Sequence, residues 1–315
     1  TSLIQSSSTT TSMVGAFVAS GVLSVRSAVP IIMGANIGTT VTNTLVAVGH
    51  ITRKEEFKRA FSGSTLHDFF NIFTVIILFP IEMSTHFLEK AGIFLASVFA
   101  DSGCLKFTSP IKLIVKPGVS FVDALVGKVI PTSSQTIQSA IVLVISLVLL
   151  FAALYGIVRV MRSMVANKAD AVFNRVIGKS ALLSMAMGML FTAIVQSSSI
   201  TTSILVPLVA AGVLQIEQSF PIVLGANIGT TITALLASLT GNVAGVAIAF
   251  VHLVFNIAGI LIVYPIQRIR AIPLKMARFM GDRCSKRRAL AIIYVLGVFF
   301  VLPIALIMIS RIFKL

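Results

Sequence analysis

Near its start the chain carries Gln5-Ser6-Ser7-Ser8-Thr9-Thr10-Thr11-Ser12, an amide and seven hydroxyls set against apolar sequence, and 191 residues later Gln196-Ser197-Ser198-Ser199-Ile200-Thr201-Thr202-Ser203. A helix that begins at such a run inside a low-dielectric medium presents unpaired backbone N–H groups, the positive end of its dipole and hydroxyl donors together. That combination suits a tetrahedral oxyanion, and two such termini entering from opposite sides would cup it between them. Hydroxyl, amide and carbonyl oxygens at an unwound break are also hard ligands of the kind that hold Na+.

What is missing nearby narrows this chemistry. Of the 25 basic residues only Arg159, at the end of Ile137–Val160, falls within an apolar stretch, and of the ten acids only Asp68 falls well within one, with Glu82 at the end of that same stretch. Neither a relay of carboxylates nor a permanent cationic pocket is available. A neutral anion site must draw its counter-charge from co-bound cations, which is a physical reason for coupling. His67 and His252 recur without acid or Cys neighbours for a metal site and suit packing or capping better than ligation. Neither belongs to a nucleophile motif, so the abundant serines do not point to a hydrolase. Asp68 suits either a solvated or Arg-paired place near the cytoplasmic end or a place on an ion pathway. A lone Ser/Thr run in a membrane helix is ordinarily packing and back-bonding, and duplication shifts the balance towards a site.

Composition sets the medium. With 57% hydrophobic and 11% charged residues, the chain reads as an all-α polytopic membrane protein. The net charge of +15 falls between apolar spans, which reports orientation and lipid contact rather than nucleic acid. Two cysteines, Cys104 and Cys284, are too few for a disulfide framework or a zinc site.

The elements that must position the polar runs are themselves duplicated. Gly34-Ala35-Asn36-Ile37-Gly38-Thr39-Thr40 returns as Gly225-Ala226-Asn227-Ile228-Gly229-Thr230-Thr231, and 22 of the forty positions from Gln5 to Thr44 match Gln196 to Leu235 without a gap. The glycines of this second motif suit close helix packing. Spans of roughly 20 apolar residues are expected at Pro30–Val48, Ala60–Met83, Ile137–Val160, Pro221–Leu239, Val243–Ile266 and Leu290–Ser310. Ala181–Leu214 fits a hairpin of two half-helices around its polar break, and Phe87–Phe99 fits an amphipathic surface helix.

The eight basic residues between Gln267 and Arg288 place that loop in the cytoplasm, and tracing back makes the two copies inverted relative to each other. The expected organisation is a first inverted repeat at 1–83, an extracellular or periplasmic connection at 84–135, a linking transmembrane helix and cytoplasmic linker at 136–179, a second inverted repeat at 180–266, and a basic cytoplasmic loop with a final transmembrane helix at 267–315. Each repeat is expected to carry a re-entrant or broken hairpin bearing its QSSS motif.

The paired QSSS runs, GANIGTT with Val41-Thr42-Asn43-Thr44, then Glu56-Phe57-Lys58-Arg59-Ala60-Phe61 and His67-Asp68-Phe69-Phe70-Asn71, resemble the type II sodium-dependent phosphate cotransporters, in a bacterial-type member expected to be clipped at both ends. The resemblance implies a secondary transporter, not an enzyme, of the plasma (inner) membrane. It would couple inward Na+ movement to uptake of inorganic phosphate by alternating access, without a cofactor. Partners are phosphate, Na+ and the bilayer, with no nucleic acid. Carried over, phosphate binding falls to Gln5, Ser6, Ser7, Gln196, Ser197 and Ser198, and sodium binding to Ser8, Asn36, Thr39, Thr40, Ser199, Asn227, Thr230 and Thr231. Another anion (sulfate, arsenate or a dicarboxylate) and an anion channel stay open as alternatives.

Overall fold

The computed structural model describes residues 1–101 except Leu3, residues 180–238 and 242–313, and a few separate helical positions between 117 and 148. Most of the expected span Ile137–Val160, together with Cys104 and the linker to Lys179, falls outside the described residues. Every regular element among the described residues is a helix.

The helices are α1 (Ser7–Ala19), α2 (Val25–Ile37), α3 (Val41–Val48), α4 (Lys54–Thr85), α5 (Phe87–Asp101), α6 (Ala181–Val195), α7 (Ser198–Ala210), α8 (Ile216–Ser238), α9 (Val243–Val263), α10 (Gln267–Lys286), α11 (Ala289–Leu296) and α12 (Leu302–Phe313), with a π-helical stretch at Gly297–Val301 joining the last two. Many begin where a short polar side chain takes an orphan N–H: Ser24 caps α2, Ser180 caps α6 and Asn242 caps α9. Among the described residues, four stretches are long and apolar enough to cross a membrane: Val25–Val48, Lys54–Thr85, Ile216–Leu236 and Val243–Val263. At 15 and 13 residues, α6 and α7 are each too short to cross alone.

Four expectations change. The stretch expected as one span from Pro30 to Val48 is broken between Ile37 and Val41, whereas its second copy runs unbroken through α8. The break leaves a donor that Gln5 takes up: its Oε1 accepts the Thr42 N–H at 3.1 Å and the Thr42 hydroxyl at 3.0 Å. The basic loop at 267–288 is instead mostly α10, because Pro273, Leu274, Ala277, Gly281 and Cys284 form an apolar face buried in the molecule. That helix is tied to α4 by Lys58 to Asp282 at 3.1 Å, and Lys286 and Lys58 together hold the Asp282 carboxyl below the usual carboxylate range.

The expected surface helix is α5, and it is docked rather than free. A Cβ on Gly92 would lie 2.9 Å from the Ala247 carbonyl oxygen, so α5 meets α9 backbone to side. Its start is fixed by the buried Glu82 carboxylate, which accepts the N–H groups of Leu88 and Glu89. The last span continues as helix but contains the π-helical stretch after Gly297.

The core packs α4, α8 and α10 around Phe57, Phe61, Phe70 and Phe220, with Phe70 and Phe220 edge-on at 5.9 Å. A second cluster joins α1, α2 and α9 through Val14, Ile32 and Phe255. Each short helix that starts at a polar run therefore packs on a long helix from the other half of the sequence, α1 on α9 and α7 on α4.

Candidate functional site

The two polar runs fold alike. Gln5 (φ 55°) and Gln196 (φ 58°) are left-handed residues without the glycine that usually fills such a position, a conformation that costs roughly 1 kcal/mol or more. The next residue is extended and caps a helix. Ser6 Oγ accepts the Thr9 N–H at 3.2 Å and Ser197 Oγ accepts the Ile200 N–H at 3.3 Å. Both helices then run 13 residues and turn out through a glycine at φ 78° and 77°, Gly21 and Gly212. A sharp turn followed by a serine-capped helix start gathers the first-turn N–H groups at one point.

Their exits are held across the molecule. Arg59 Nε donates to the Ala210 carbonyl at 2.8 Å, and Asn242 Nδ2 donates to the equivalent Ala19 carbonyl at 2.8 Å.

Between the starts lies a polar centre. Ser199 Oγ donates to the carbonyls of Thr39 at 3.2 Å and Gln5 at 3.4 Å, bringing both runs and the first GANIGTT together. Asn43 Oδ1 accepts the hydroxyls of Thr202 at 3.0 Å and Ser203 at 2.9 Å. Ser7, Ser8 and Ser198 are buried, Ser6, Ser197 and Gln5 half-buried, and Gln196 is exposed. The runs are thus alike in backbone and unequal in setting, since only Gln5 is tied down by Thr42.

The two asparagines of GANIGTT are crossed over. His67 Nε2 donates to Asn227 Oδ1 at 2.6 Å, and His252 Nε2 donates to Asn36 Oδ1 at 2.9 Å. With Nε2 donating, each Nδ1 is an acceptor, filled by Asn71 Nδ2 at 3.1 Å in His67 and by the Thr11 hydroxyl at 3.0 Å in His252. Asn71 also donates to the Asn36 carbonyl and Asn256 to the Asn227 carbonyl, each at 3.1 Å. All six side chains are at most 3% exposed. The histidines therefore have the packing role expected of them.

Replacing His252 by Ala strands the Asn36 oxygen and the Thr11 hydroxyl. Interhelical bonds of about 1 kcal/mol each make a loss of roughly 2 kcal/mol the expected outcome, seen as a melting temperature several degrees lower in detergent. A melting curve superimposable on the parent's would refute the assignment.

Of the two places open to Asp68, the structure excludes one. Asp68 is fully buried rather than solvated or paired with arginine, and it accepts the hydroxyls of Thr40 and, at 2.9 Å, Tyr294. In the second copy Leu253 stands at its place and Thr231 bonds back to the Ile228 carbonyl at 2.6 Å, as Thr230 does to Ala226 at 2.9 Å. Asn256 Oδ1, next to Asn227, is buried without a donor among the described residues, whereas its counterpart Asn71 Oδ1 accepts from Asn227 Nδ2 at 3.1 Å. The recurrence of His and Asn four residues apart in α4 and α9 was a visible signal for the crossed bonds. Asn43 stood out only as part of Val41-Thr42-Asn43-Thr44, and nothing in the sequence pointed to Tyr294.

Short polar-started helices, long apolar ones and a buried, hydrogen-bonded polar centre define a class: a multi-pass helical membrane protein. The chain belongs to the Na+/Pi-cotransporter family, whose model matches residues 1–101 and 149–300, a family of transporters rather than enzymes. It is 33% identical over 390 residues to sodium-dependent phosphate transport protein 2B of Homo sapiens and of Pongo abelii, covering 96% of this chain and 56% of each relative. Against sodium-dependent phosphate transport protein 2A of Ovis aries it is 34% identical over 372 residues, covering 96% of this chain and 58% of the relative. The chain thus spans little more than half the length of these curated relatives. No solved structure matches it.

Proposed function

We propose that the chain is the membrane part of a secondary active transporter that couples inward Na+ movement to uptake of inorganic phosphate by alternating access. The observation that carries this is the shared local build of the two polar runs, a left-handed Gln, a capping Ser and a helix start, joined at one polar centre by the Ser199 bond to the Gln5 carbonyl. Phosphate is held by Gln5, Ser6 and Ser7 from one side and Gln196, Ser197 and Ser198 from the other, through hydroxyls and first-turn N–H groups. Residues 1–83 and 180–266 act as inverted repeats in the plasma (inner) membrane.

Sodium is held by oxygens of Ser8, Asn36, Thr39, Thr40, Ser199, Asn227, Thr230 and Thr231. Thr39, Thr40, Ser199, Thr230 and Thr231 each donate their hydroxyl proton elsewhere and keep their lone pairs, the state a cation ligand needs. The Asn256 oxygen beside Asn227, with no donor among the described residues, is a further acceptor that a partly dehydrated cation would satisfy. The names of the relatives, sodium-dependent phosphate transport proteins, support the same pair of substrates.

The test is phosphate uptake into proteoliposomes under an inward Na+ gradient. Uptake should collapse when choline replaces sodium and be inhibited by arsenate more than by sulfate. Sodium-independent uptake would sink the coupling, and competition by sulfate but not arsenate would sink the substrate.

A further inference from the structure

α10 presents a second face that the core does not use. Its buried side, including Leu274, Ala277 and Gly281, is locked onto α4, where a Cβ on Gly281 would lie 2.5 Å from the Lys58 carbonyl oxygen. The opposite side carries Arg268, Ile272, Lys275, Met276, Phe279 and Arg283, at the three- and four-residue steps that keep to one helix face. There Ile272 is 37%, Met276 40% and Phe279 58% exposed. An outward apolar stripe on so basic a helix is unlike a water-facing surface, where apolar side chains scatter singly.

The charges on this face are left over rather than paired. Arg278 is taken by Glu217, and Lys286 by Asp282 at 2.6 Å. Arg268 and Lys275 have no carboxylate among the described residues, and Arg283 lies 5.0 Å over the Phe279 ring. Only three residues separate α10 from the end of the apolar α9 at Val263, and two separate it from α11 at Ala289. The helix is therefore held at the membrane boundary at both ends, with apolar side chains ringed by unpaired cations.

We propose that this face of α10 is a binding surface for anionic phospholipids, its Ile272, Met276 and Phe279 side chains entering the headgroup boundary and Arg268, Lys275 and Arg283 meeting lipid phosphates. The proposal stands apart from the transport reading, because it rests on α10 alone.

The chain contains no Trp, so Phe279→Trp supplies a single reporter at an exposed position. The variant chain is reconstituted in mixed phosphatidylcholine and phosphatidylglycerol vesicles in which one lipid or the other carries acyl-chain bromine. At matched bromine content, brominated phosphatidylglycerol should quench the reporter about twofold more, and raised salt should erase the excess. Adding Arg268→Gln, Lys275→Gln and Arg283→Gln should bring the two lipids to parity while quenching persists. Equal quenching by both lipids in the Phe279→Trp chain would overturn the proposal. So would a reporter reached by aqueous iodide and not by brominated lipid, as expected of a face turned to water or to a soluble partner.

Discussion

Gly225→Ala is expected to abolish the folded protein, while Gly34→Ala, the same position in the other copy of GANIGTT, is expected to leave it intact. A Cβ on Gly225 would lie 1.9 Å from the Met185 carbonyl oxygen and 2.7 Å from its carbon. The obstacle is backbone, so no rotamer change relieves it. Gly188 and Gly229 meet the partner helix in the same way, with added Cβ atoms 2.1 Å from the Ile222 oxygen and 2.5 Å from the Met189 oxygen. These contacts zip α6 to α8 at backbone distance, which is what glycines four apart permit in apolar helices. Overpacking in a core typically costs about 1–3 kcal/mol when side chains can move, and here a whole helix must move instead.

Around Gly34 nothing lies within 4 Å, and Ala is the better helix former there by up to about 1 kcal/mol. Size-exclusion profiles in detergent read the difference. A sharp, parent-like peak for Gly225→Ala, or an aggregated one for Gly34→Ala in the 315-residue chain, would contradict the assignment.

That contrast shows what a sequence of this kind can and cannot disclose. The membrane class, the duplication and the two serine-capped starts were legible, because they depend on composition and on local polar chemistry that repeats. GANIGTT reads the same in both copies, yet one copy lies in a broken stretch and the other inside α8. The difference is tertiary: Gln5 takes the Thr42 donors in the first, and α6 clamps Gly225 and Gly229 in the second. In the sequence α10 resembles a loop because its basic residues dominate, although the buried positions Leu274, Ala277, Gly281 and Cys284 carry a helical period. Asp68 was beyond reach for another reason. Its partner Tyr294 lies 226 residues away on the last span, and no periodicity links them.

Ser6→Ala and Ser197→Ala are each expected to cut phosphate uptake at least about tenfold, an activation or binding loss of about 1.4 kcal/mol or more, with the protein still in the membrane. Two effects must be separated. Each serine caps its helix, so Ala lets the first turn fray, at a cost of about 1 kcal/mol that a folded membrane protein survives. In the proposed site each hydroxyl is also a donor to the anion.

Ser197→Asp distinguishes the two. Aspartate caps as well as serine, so the helix start and the melting temperature should hold, but its carboxylate occupies the positive end of α7 and repels phosphate. Uptake should then fall below that of Ser197→Ala. If capping were the whole role, Asp would restore transport. Because the two starts face one centre, neither can stand in for the other, and near-normal uptake in either alanine variant would refute a site built from both.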